Sequence, residues 1–213
     1  MTDTPHIAWP PLKRALVAIL RGLKPEEVEA TVGGLIEIGF EAIEIPLNSP
    51  EPFRSIEMAA KLAPAGVLIG GGTVLSTEAV DRLNDVGGRI LVSPNVNAAV
   101  IRRASGHGMV TMPGVFTPTE ALAAARAGAS GLKFFPASVL GPAGINAIRA
   151  VLPADLTIAA VGGVSEANFA DYIQGNILAF GLGSSLYKVG MSALDVTARA
   201  VLTITAYDEA IGS

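Results

Sequence analysis

The sequence Gly131-Leu132-Lys133-Phe134-Phe135-Pro136-Ala137 places one lysine inside a short apolar run. A glycine before the run and a proline near its end are typical of a buried strand. Burial of an ammonium ion is unfavourable, so a buried lysine tends to have a lowered pKa and a neutral amine that can attack a carbonyl carbon. On this stretch alone, a lysine whose amine reaches solvent is the simpler interpretation. The choice between the two depends on the surrounding fold.

The pattern of a short apolar strand followed by an amphipathic helix recurs along the whole chain without a break in composition. The eight predicted strands begin near Leu16, Ala42, Val67, Arg89, Met109, Gly131, Leu156 and Ile177. Alternating strands and helices predict a parallel sheet covered by helices, and eight such units close a (β/α)8 barrel. An open doubly wound sheet is the alternative, but no Gly-x-Gly-x-x-Gly follows the first strand. We therefore expect an α/β protein with a single (β/α)8 TIM barrel domain over residues 1–213, in which residues 1–14 form a leader or short helix.

Composition excludes several classes of function. The chain has 213 residues, no cysteine and a net charge of −4, and its two histidines, His6 and His107, lie far apart. Disulfides and thiolate metal sites are therefore excluded, and we expect no metal and no cofactor. An acidic chain is a poor partner for nucleic acid. Neither a signal peptide nor a membrane span is evident, so we expect a cytoplasmic protein that does not bind membranes.

The alternation of side chains along the strands predicts which charges face the barrel interior. Glu44 is the only charge on the second strand, between Ile43 and Ile45, so it is expected to point inward. The same reasoning places Ile69, Gly71 and Thr73 on one face of the third strand. The side chains expected to meet near the mouth are Arg21, Glu44, Thr73 and Lys133. Active sites of such barrels lie at the carboxyl ends of the strands, which favours a catalytic cluster. A structural ion-paired cluster is the alternative, although buried ion pairs are weak stabilisers.

Glycine pairs follow the last two strands. Gly162-Gly163 ends the seventh strand, and the second pair, Gly181 and Gly183, lies in Gly181-Leu182-Gly183-Ser184 at the end of the eighth. Barrels of this type often bind phosphate on the loops after strands seven and eight, where glycines let backbone amides approach the anion. Each pair by itself is more often a simple turn, but both together indicate a phosphate site.

These residues resemble the class I aldolases that split 2-keto-3-deoxy-6-phospho sugar acids into pyruvate and glyceraldehyde 3-phosphate. The resemblance extends from about Leu16 to Gly190. The motifs that carry it are Ile19-Leu20-Arg21-Gly22, Glu44-Ile45-Pro46-Leu47-Asn48-Ser49-Pro50, Gly70-Gly71-Gly72-Thr73-Val74, Ser93-Pro94-Asn95, Met112-Pro113-Gly114, Leu132-Lys133-Phe134-Phe135-Pro136, Ala160-Val161-Gly162-Gly163-Val164 and Gly181-Leu182-Gly183-Ser184. The resemblance implies a carbon–carbon lyase that works as a homotrimer on a phosphorylated keto-deoxy sugar acid.

The resemblance also implies a role for each candidate residue. Lys133 would form an imine with the C2 ketone of the substrate, and Glu44 would move protons, through water. Arg21 and Thr73 would hold the substrate carboxylate, and Pro94 would pack against the pyruvyl part. The residues expected to bind the phosphate are Gly162, Gly163, Gly183 and Ser184.

Within this family the chain is more similar to the 6-phosphogalactonate branch, which would place it in galactonate or galactose catabolism. The segment from Glu44 to Ser49 and Ala160-Val161-Gly162-Gly163 carry this likeness, since the 6-phosphogluconate branch usually has Glu-Val-Thr-Leu-Arg-Thr and Pro-Thr-Gly-Gly there. The two substrates differ in configuration at C4, and Val161 lacks the hydroxyl that a threonine would offer to one epimer. Gly71, Ser185 and Phe134-Phe135 depart from the usual pattern. The alternatives are the gluconate substrate of the Entner-Doudoroff pathway, another phosphate-binding barrel such as an epimerase or thiamin-phosphate synthase-like enzyme, and an inactive phosphosugar-binding barrel.

Overall fold

Eight parallel strands form a closed barrel in the computed structural model of the protein, which describes residues 6–212. The strands are β1 (Leu16–Ile19), β2 (Ala42–Pro46), β3 (Leu68–Gly72), β4 (Ile90–Ser93), β5 (Val110–Val115), β6 (Gly131–Phe134), β7 (Thr157–Val161) and β8 (Ala179–Leu182). Each strand pairs with the next one along the chain, and β8 pairs with β1. The predicted (β/α)8 barrel is confirmed, and the open-sheet alternative is wrong.

A helix follows each strand and covers the outside of the barrel. The helices are α1 (Val28–Glu37), α2 (Pro52–Leu62), α3 (Thr77–Asp85), α4 (Ala98–Gly106), α5 (Pro118–Arg126), α6 (Ala137–Arg149), α7 (Phe169–Gln174) and α8 (Ala193–Ile211). The sequence predicts α6 only from Ala143, but helical turns already begin at Ala137 and are interrupted at Gly141, where φ is 63°. None of the helices within residues 6–212 is long and apolar enough to cross a membrane.

Buried apolar side chains form two separate layers. A large layer lies between strands and helices and includes Ile43, Ile45, Leu132 and Phe134. A smaller cluster fills the barrel itself. Its buried members are Val17, Ile19, Ala42, Ile90, Val92, Val110, Met112, Ala159, Val161 and Ala179. Because the neighbours of Glu44 and Lys133 belong to the outer layer, strand alternation directs these two side chains into the barrel.

The N-terminal segment covers the end of the barrel opposite the strand carboxyl ends. Ile7, Trp9 and Leu12 pack against the interior cluster, and no helix forms within residues 6–14. A bidentate ion pair between Arg14 and Asp208 of α8 ties the segment down, with Nε–Oδ1 at 2.7 Å. The predicted short helix is therefore wrong for residues 6–14, where Pro10 and Pro11 lack the backbone N–H that a helix interior needs. Residues 1–5 of the predicted leader lie outside the described residues.

The orientation of β3 also differs from the prediction. Ile69 belongs to the outer layer, and a β-carbon on Gly71 would contact Leu83 of α3. A β-carbon on Gly72 would instead meet the carboxylate of Glu44, so Gly72 is the residue that faces the interior. The predicted inward face of Ile69 and Gly71 is wrong. Three successive glycines carry no side chains whose polarity could indicate the correct face.

Candidate active site

A cavity of about 1020 Å³ opens at the carboxyl ends of the strands, where active sites of such barrels lie. The candidate residues that line it are Arg21, Pro94, Lys133, Val161, Gly162, Gly163, Gly183 and Ser184. These residues come from loops or strands that are distant in sequence but adjacent in the closed barrel. The structure thus brings the predicted lysine and the predicted phosphate loops to one cavity.

Lys133 enters this cavity from β6. Its side chain is only 6% exposed, and its Nζ lies 4.8 Å from the centroid of the Phe135 ring. Burial lowers the pKa of Lys133, the positive charge of Arg21 lowers it further, and the negative charge of Glu44 opposes both. A lowered pKa increases the fraction of neutral amine, which is the form that attacks a carbonyl carbon.

Glu44 lies deeper in the barrel than the cavity lining and is only 1% exposed. Burial raises the pKa of its carboxyl group from 4.5 to about 7, although the charges of Lys133 and Arg21 pull it down. No hydrogen-bond donor within residues 6–212 contacts its Oε2 atom. A carboxyl group that titrates near pH 7 can both accept and donate a proton under working conditions.

Lys133 and Glu44 therefore form a complementary pair. Each changes the pKa of the other through its charge, and burial brings both pKa values closer to neutrality. An amine and a carboxyl group that exchanges protons, both buried and close enough for their charges to interact, are the groups needed to form and break an imine. The desolvation of two buried charged groups can exceed the attraction between them, so this pair would contribute little to stability. A purely structural role is therefore the weaker interpretation.

Arg21 lies at the rim of the cavity. Strand alternation predicted that its side chain would face the barrel interior, and this prediction is wrong. The strand ends at Ile19, so the side chain of Arg21 is exposed in the loop that follows. Its Nη1 donates a hydrogen bond to Oδ1 of Asn48 at 2.5 Å, and within residues 6–212 it forms no ion pair with a carboxylate. Its charge therefore remains available to an anion that enters the cavity.

Thr73 is placed differently from its prediction. It follows the last residue of β3, with a left-handed φ of 55°, and it does not line the cavity. This conformation is disfavoured for a β-branched residue and changes the direction of the chain at the strand end. The alternation of β3 therefore does not continue to Thr73, and its predicted contact with the substrate carboxylate stays a prediction.

The two glycine pairs lie side by side at the mouth. Gly162 and Gly163 have φ values of 88° and 77°, which favour glycine over residues with a side chain. In the next loop, the carbonyl of Gly183 accepts hydrogen bonds from the N–H groups of Leu186 and Tyr187, both at 2.9 Å. This turn presents the exposed Ser184 beside the first pair. The predicted phosphate site is thus built from two adjacent loops.

Pro94 and Val161 belong to the apolar part of the lining. Pro94 is exposed at the end of β4, and the chain packs tightly behind it because a β-carbon on Gly114 would overlap its backbone. Val161 is 3% exposed and belongs to the interior cluster. Val161 therefore offers only methyl groups to a molecule in the cavity.

The sequence alone did not indicate several residues of the lining. These are Phe135, Ser165, Glu166, Ser185, Tyr187, Lys188, Arg199 and Leu202, among others. Arg199 and Leu202 come from α8, and they reach the cavity only because α8 packs over the loop after β8 in the tertiary structure. Arg199 Nη1 donates a hydrogen bond to the carbonyl of Ser185 in that loop at 3.1 Å. Phe135 could have been found from its place directly after β6.

A cluster of charged side chains also lies on the outside of the barrel, away from the cavity. His107 Nε2 lies 2.8 Å from Oδ1 of Asp81, which also pairs with Arg103. Asp81 lies on α3 and Arg103 on α4, and His107 directly follows α4. Within the part of the chain that the structure describes, no group of three histidine or acidic side chains could hold a metal ion.

Comparisons with known proteins agree with this geometry. The sequence matches the family described as "Aldolase: KDPG and KHG aldolase" over residues 12–205. It is 74% identical over 207 residues to a probable 2-dehydro-3-deoxy-6-phosphogalactonate aldolase of Rhizobium meliloti (strain 1021), covering 97% of this chain and 98% of the relative. It is 47% identical to the 2-dehydro-3-deoxy-6-phosphogalactonate aldolase of Escherichia coli (strain K12), covering 93% and 97% of the two chains. A solved structure described as "Native KDPGal structure" superposes with a TM-score of 0.93 at 46% identity, covering 97% of this chain and all (100%) of the other.

Proposed function

Because the chain belongs to the KDPG and KHG aldolase family, we propose that it cleaves 2-dehydro-3-deoxy-6-phosphogalactonate into pyruvate and D-glyceraldehyde 3-phosphate. The observation that carries the proposal is the buried pair of Lys133 and Glu44 beneath a cavity whose rim holds two glycine loops. The names of the two relatives support the galactonate epimer, as does the apolar side chain of Val161.

The reaction begins with the neutral amine of Lys133. The amine attacks C2 of the keto acid, and the carbinolamine loses water to form a protonated imine. Glu44 supplies and removes the protons of these steps, through a water molecule, because its carboxyl group lies below the cavity lining. Arg21 holds the substrate carboxylate at the rim with its remaining N–H donors.

Bond cleavage uses the imine as an electron sink. Glu44 takes the proton of the C4 hydroxyl, the C3–C4 electron pair moves into the iminium, and glyceraldehyde 3-phosphate leaves. The resulting enamine takes a proton at C3, and water then hydrolyses the imine to release pyruvate and free Lys133. During these steps the loops of Gly162-Gly163 and Gly183-Ser184 hold the phosphate far from the reacting carbons.

Borohydride reduction in the presence of pyruvate tests the nucleophile. The wild-type protein should gain one irreversible pyruvyl adduct on Lys133, and Lys133→Met should gain none while its thermal unfolding remains cooperative. Lys188→Met is the matched control, because Lys188 lines the same cavity but is exposed. An adduct on Lys188 in place of Lys133 would overturn the assignment of the nucleophile. The absence of any adduct would overturn the proposal and favour the inactive phosphosugar-binding barrel.

The substrate epimer needs a separate measurement. Values of kcat/KM for 2-dehydro-3-deoxy-6-phosphogalactonate and for its gluconate epimer should favour the galactonate compound, and a preference for the gluconate compound would overturn this part of the proposal. The homotrimer, which the family resemblance implies, and the cytoplasmic location, which the sequence pattern predicts, both stay predictions.

A further inference from the structure

The loop after β7 directs its carbonyl groups away from the cavity. The carbonyl of Gly162 accepts a hydrogen bond from the N–H of Ser138 at 3.0 Å, and that of Gly163 accepts one from Nδ2 of Asn168 at 2.9 Å. Neither Ser138 nor Asn168 lines the cavity, whereas Gly162 and Gly163 do. The two carbonyl oxygens are therefore held by groups that lie behind the loop.

Two amide groups of the same loop have no hydrogen-bond partner within residues 6–212. No acceptor within residues 6–212 is bound by the N–H of Gly163 or of Val164. Both residues line the cavity, and Gly162 and Gly163 have the left-handed backbone conformation that makes concave anion-binding loops. The loop thus separates its acceptors from its donors.

Asn168 holds this arrangement from both ends. Its Nδ2 donates to the carbonyl of Gly163, and its Oδ1 accepts from the N–H of Ser165 at 3.0 Å. An amide side chain is suited to this position because it offers a donor and an acceptor together. An aspartate could keep the second hydrogen bond but not the first, and an alanine could keep neither.

We propose that Asn168 is a positioning residue that turns the Gly163 carbonyl away from the cavity and so leaves the loop amides to bind the substrate phosphate. The inference rests on the proposed function and deepens it. Without the Asn168 amide, the Gly163 peptide is free to rotate, and its carbonyl oxygen would repel a phosphate dianion. Asn168 itself touches neither the substrate nor the reacting atoms.

The test compares two aldehydes in the condensation direction. Asn168→Ala and Asn168→Asp should lower kcat/KM for glyceraldehyde 3-phosphate by roughly tenfold or more, the effect of losing a hydrogen bond to a charged group. The value for unphosphorylated glyceraldehyde should remain unchanged, as should the rate of pyruvate adduct formation on Lys133. A general structural role would instead reduce all three together, and that result would overturn the inference, as would an unchanged ratio between the two aldehydes.

Two further measurements keep this inference separate from the proposed function. Wild-type protein should bind inorganic phosphate in calorimetry, and both Asn168 variants should bind it at least about tenfold more weakly. Equal binding by the variants and the wild type would overturn the inference, whatever reaction the protein catalyses. The absence of phosphate binding by the wild type would overturn it as well. Asn97→Ala is the matched control, because Oδ1 of Asn97 also accepts a backbone N–H, that of Ala99 at 3.0 Å, at the start of α4. It should leave phosphate binding and the aldehyde ratio unchanged.

Discussion

Gly72 and Glu44 occupy adjoining space in the barrel interior, where a β-carbon on Gly72 would overlap the Glu44 carboxylate. The contact joins the last residue of β3 to the middle of β2, which are neighbouring strands. Position 72 thus requires glycine because a larger residue would overlap the Glu44 carboxylate, and not because of its backbone conformation. The proton-transfer group of the proposed reaction depends on the absence of a side chain on the next strand.

Gly72→Ala should therefore impair catalysis by displacing Glu44. We expect adduct formation with pyruvate to slow by roughly a hundredfold, the lower end of the contribution of general acid–base catalysis. Stopped-time borohydride trapping measures this rate. Gly71→Ala is the matched control, since its β-carbon would lie 3.2 Å or more from outer-layer side chains and would not meet Glu44. If both variants react at the wild-type rate, the carboxylate does not need the space at Gly72.

Glu44→Gln should slow adduct formation by at least about a hundredfold, because an amide neither takes nor gives the proton. The pH–rate profile of the wild type should show a group with a pKa of about 7, the value to which burial raises that of Glu44. That limb should be absent from the profile of the variant. A variant with an unchanged rate and profile would remove Glu44 from the mechanism.

The raised pKa of Glu44 also predicts how stability depends on pH. The folded pKa of about 7 exceeds the ordinary value of 4.5, so the unfolded chain releases this proton more readily. Ionisation of Glu44 therefore lowers the free energy of unfolding as pH rises from about 4.5 to about 7. Glutamine does not ionise, so the free energy of unfolding of Glu44→Gln should not fall in this way. The stability of the variant relative to wild type should therefore increase over that pH range, by on the order of 3 kcal/mol in total. Urea unfolding at several pH values measures the difference; a constant difference would contradict the raised pKa.

Val161→Thr tests the origin of the proposed epimer preference. The side chain lines the cavity with only 3% exposure, so a hydroxyl there would contact the substrate and not the solvent. We expect kcat/KM for the gluconate epimer to rise relative to the galactonate epimer by roughly threefold to tenfold, the value of one neutral hydrogen bond. Val161→Ala should leave the ratio near that of the wild type, which separates the hydroxyl from the loss of a methyl group.

Asn48→Asp tests the charge of Arg21. The asparagine anchors the guanidinium without neutralising it, whereas an ionised aspartate of the same shape would form an ion pair with it. We expect the pyruvate concentration for half-maximal trapping to rise by roughly tenfold, because the substrate carboxylate then competes for the same donors. Asn48→Ala removes the anchor without adding a charge and should have the smaller effect. Equal effects of the two variants would show that neutralisation is not the cause.

Local sequence patterns were sufficient to identify the two central residues. Lys133 and Glu44 each interrupt a strand of branched or aromatic residues, and a period of two then leaves only one face for the charge. The glycine pairs after β7 and β8 were equally visible, because their positions follow from the strand count. Patterns failed at Ile69, Gly71 and Thr73, since successive glycines offer no contrast between faces and the positive φ of Thr73 ends the alternation.

The amino-acid sequence by itself determined the barrel, its inward-facing lysine and glutamate, and the family to which the chain belongs, because periodicity and motifs are properties of neighbouring residues. Only the tertiary structure decided that Arg21 lies at the rim anchored by Asn48, that Gly72 makes room for Glu44, and that Asn168 holds the loop after β7. Such contacts join residues from separate loops and strands, and their distances depend on where each strand ends and how the barrel closes.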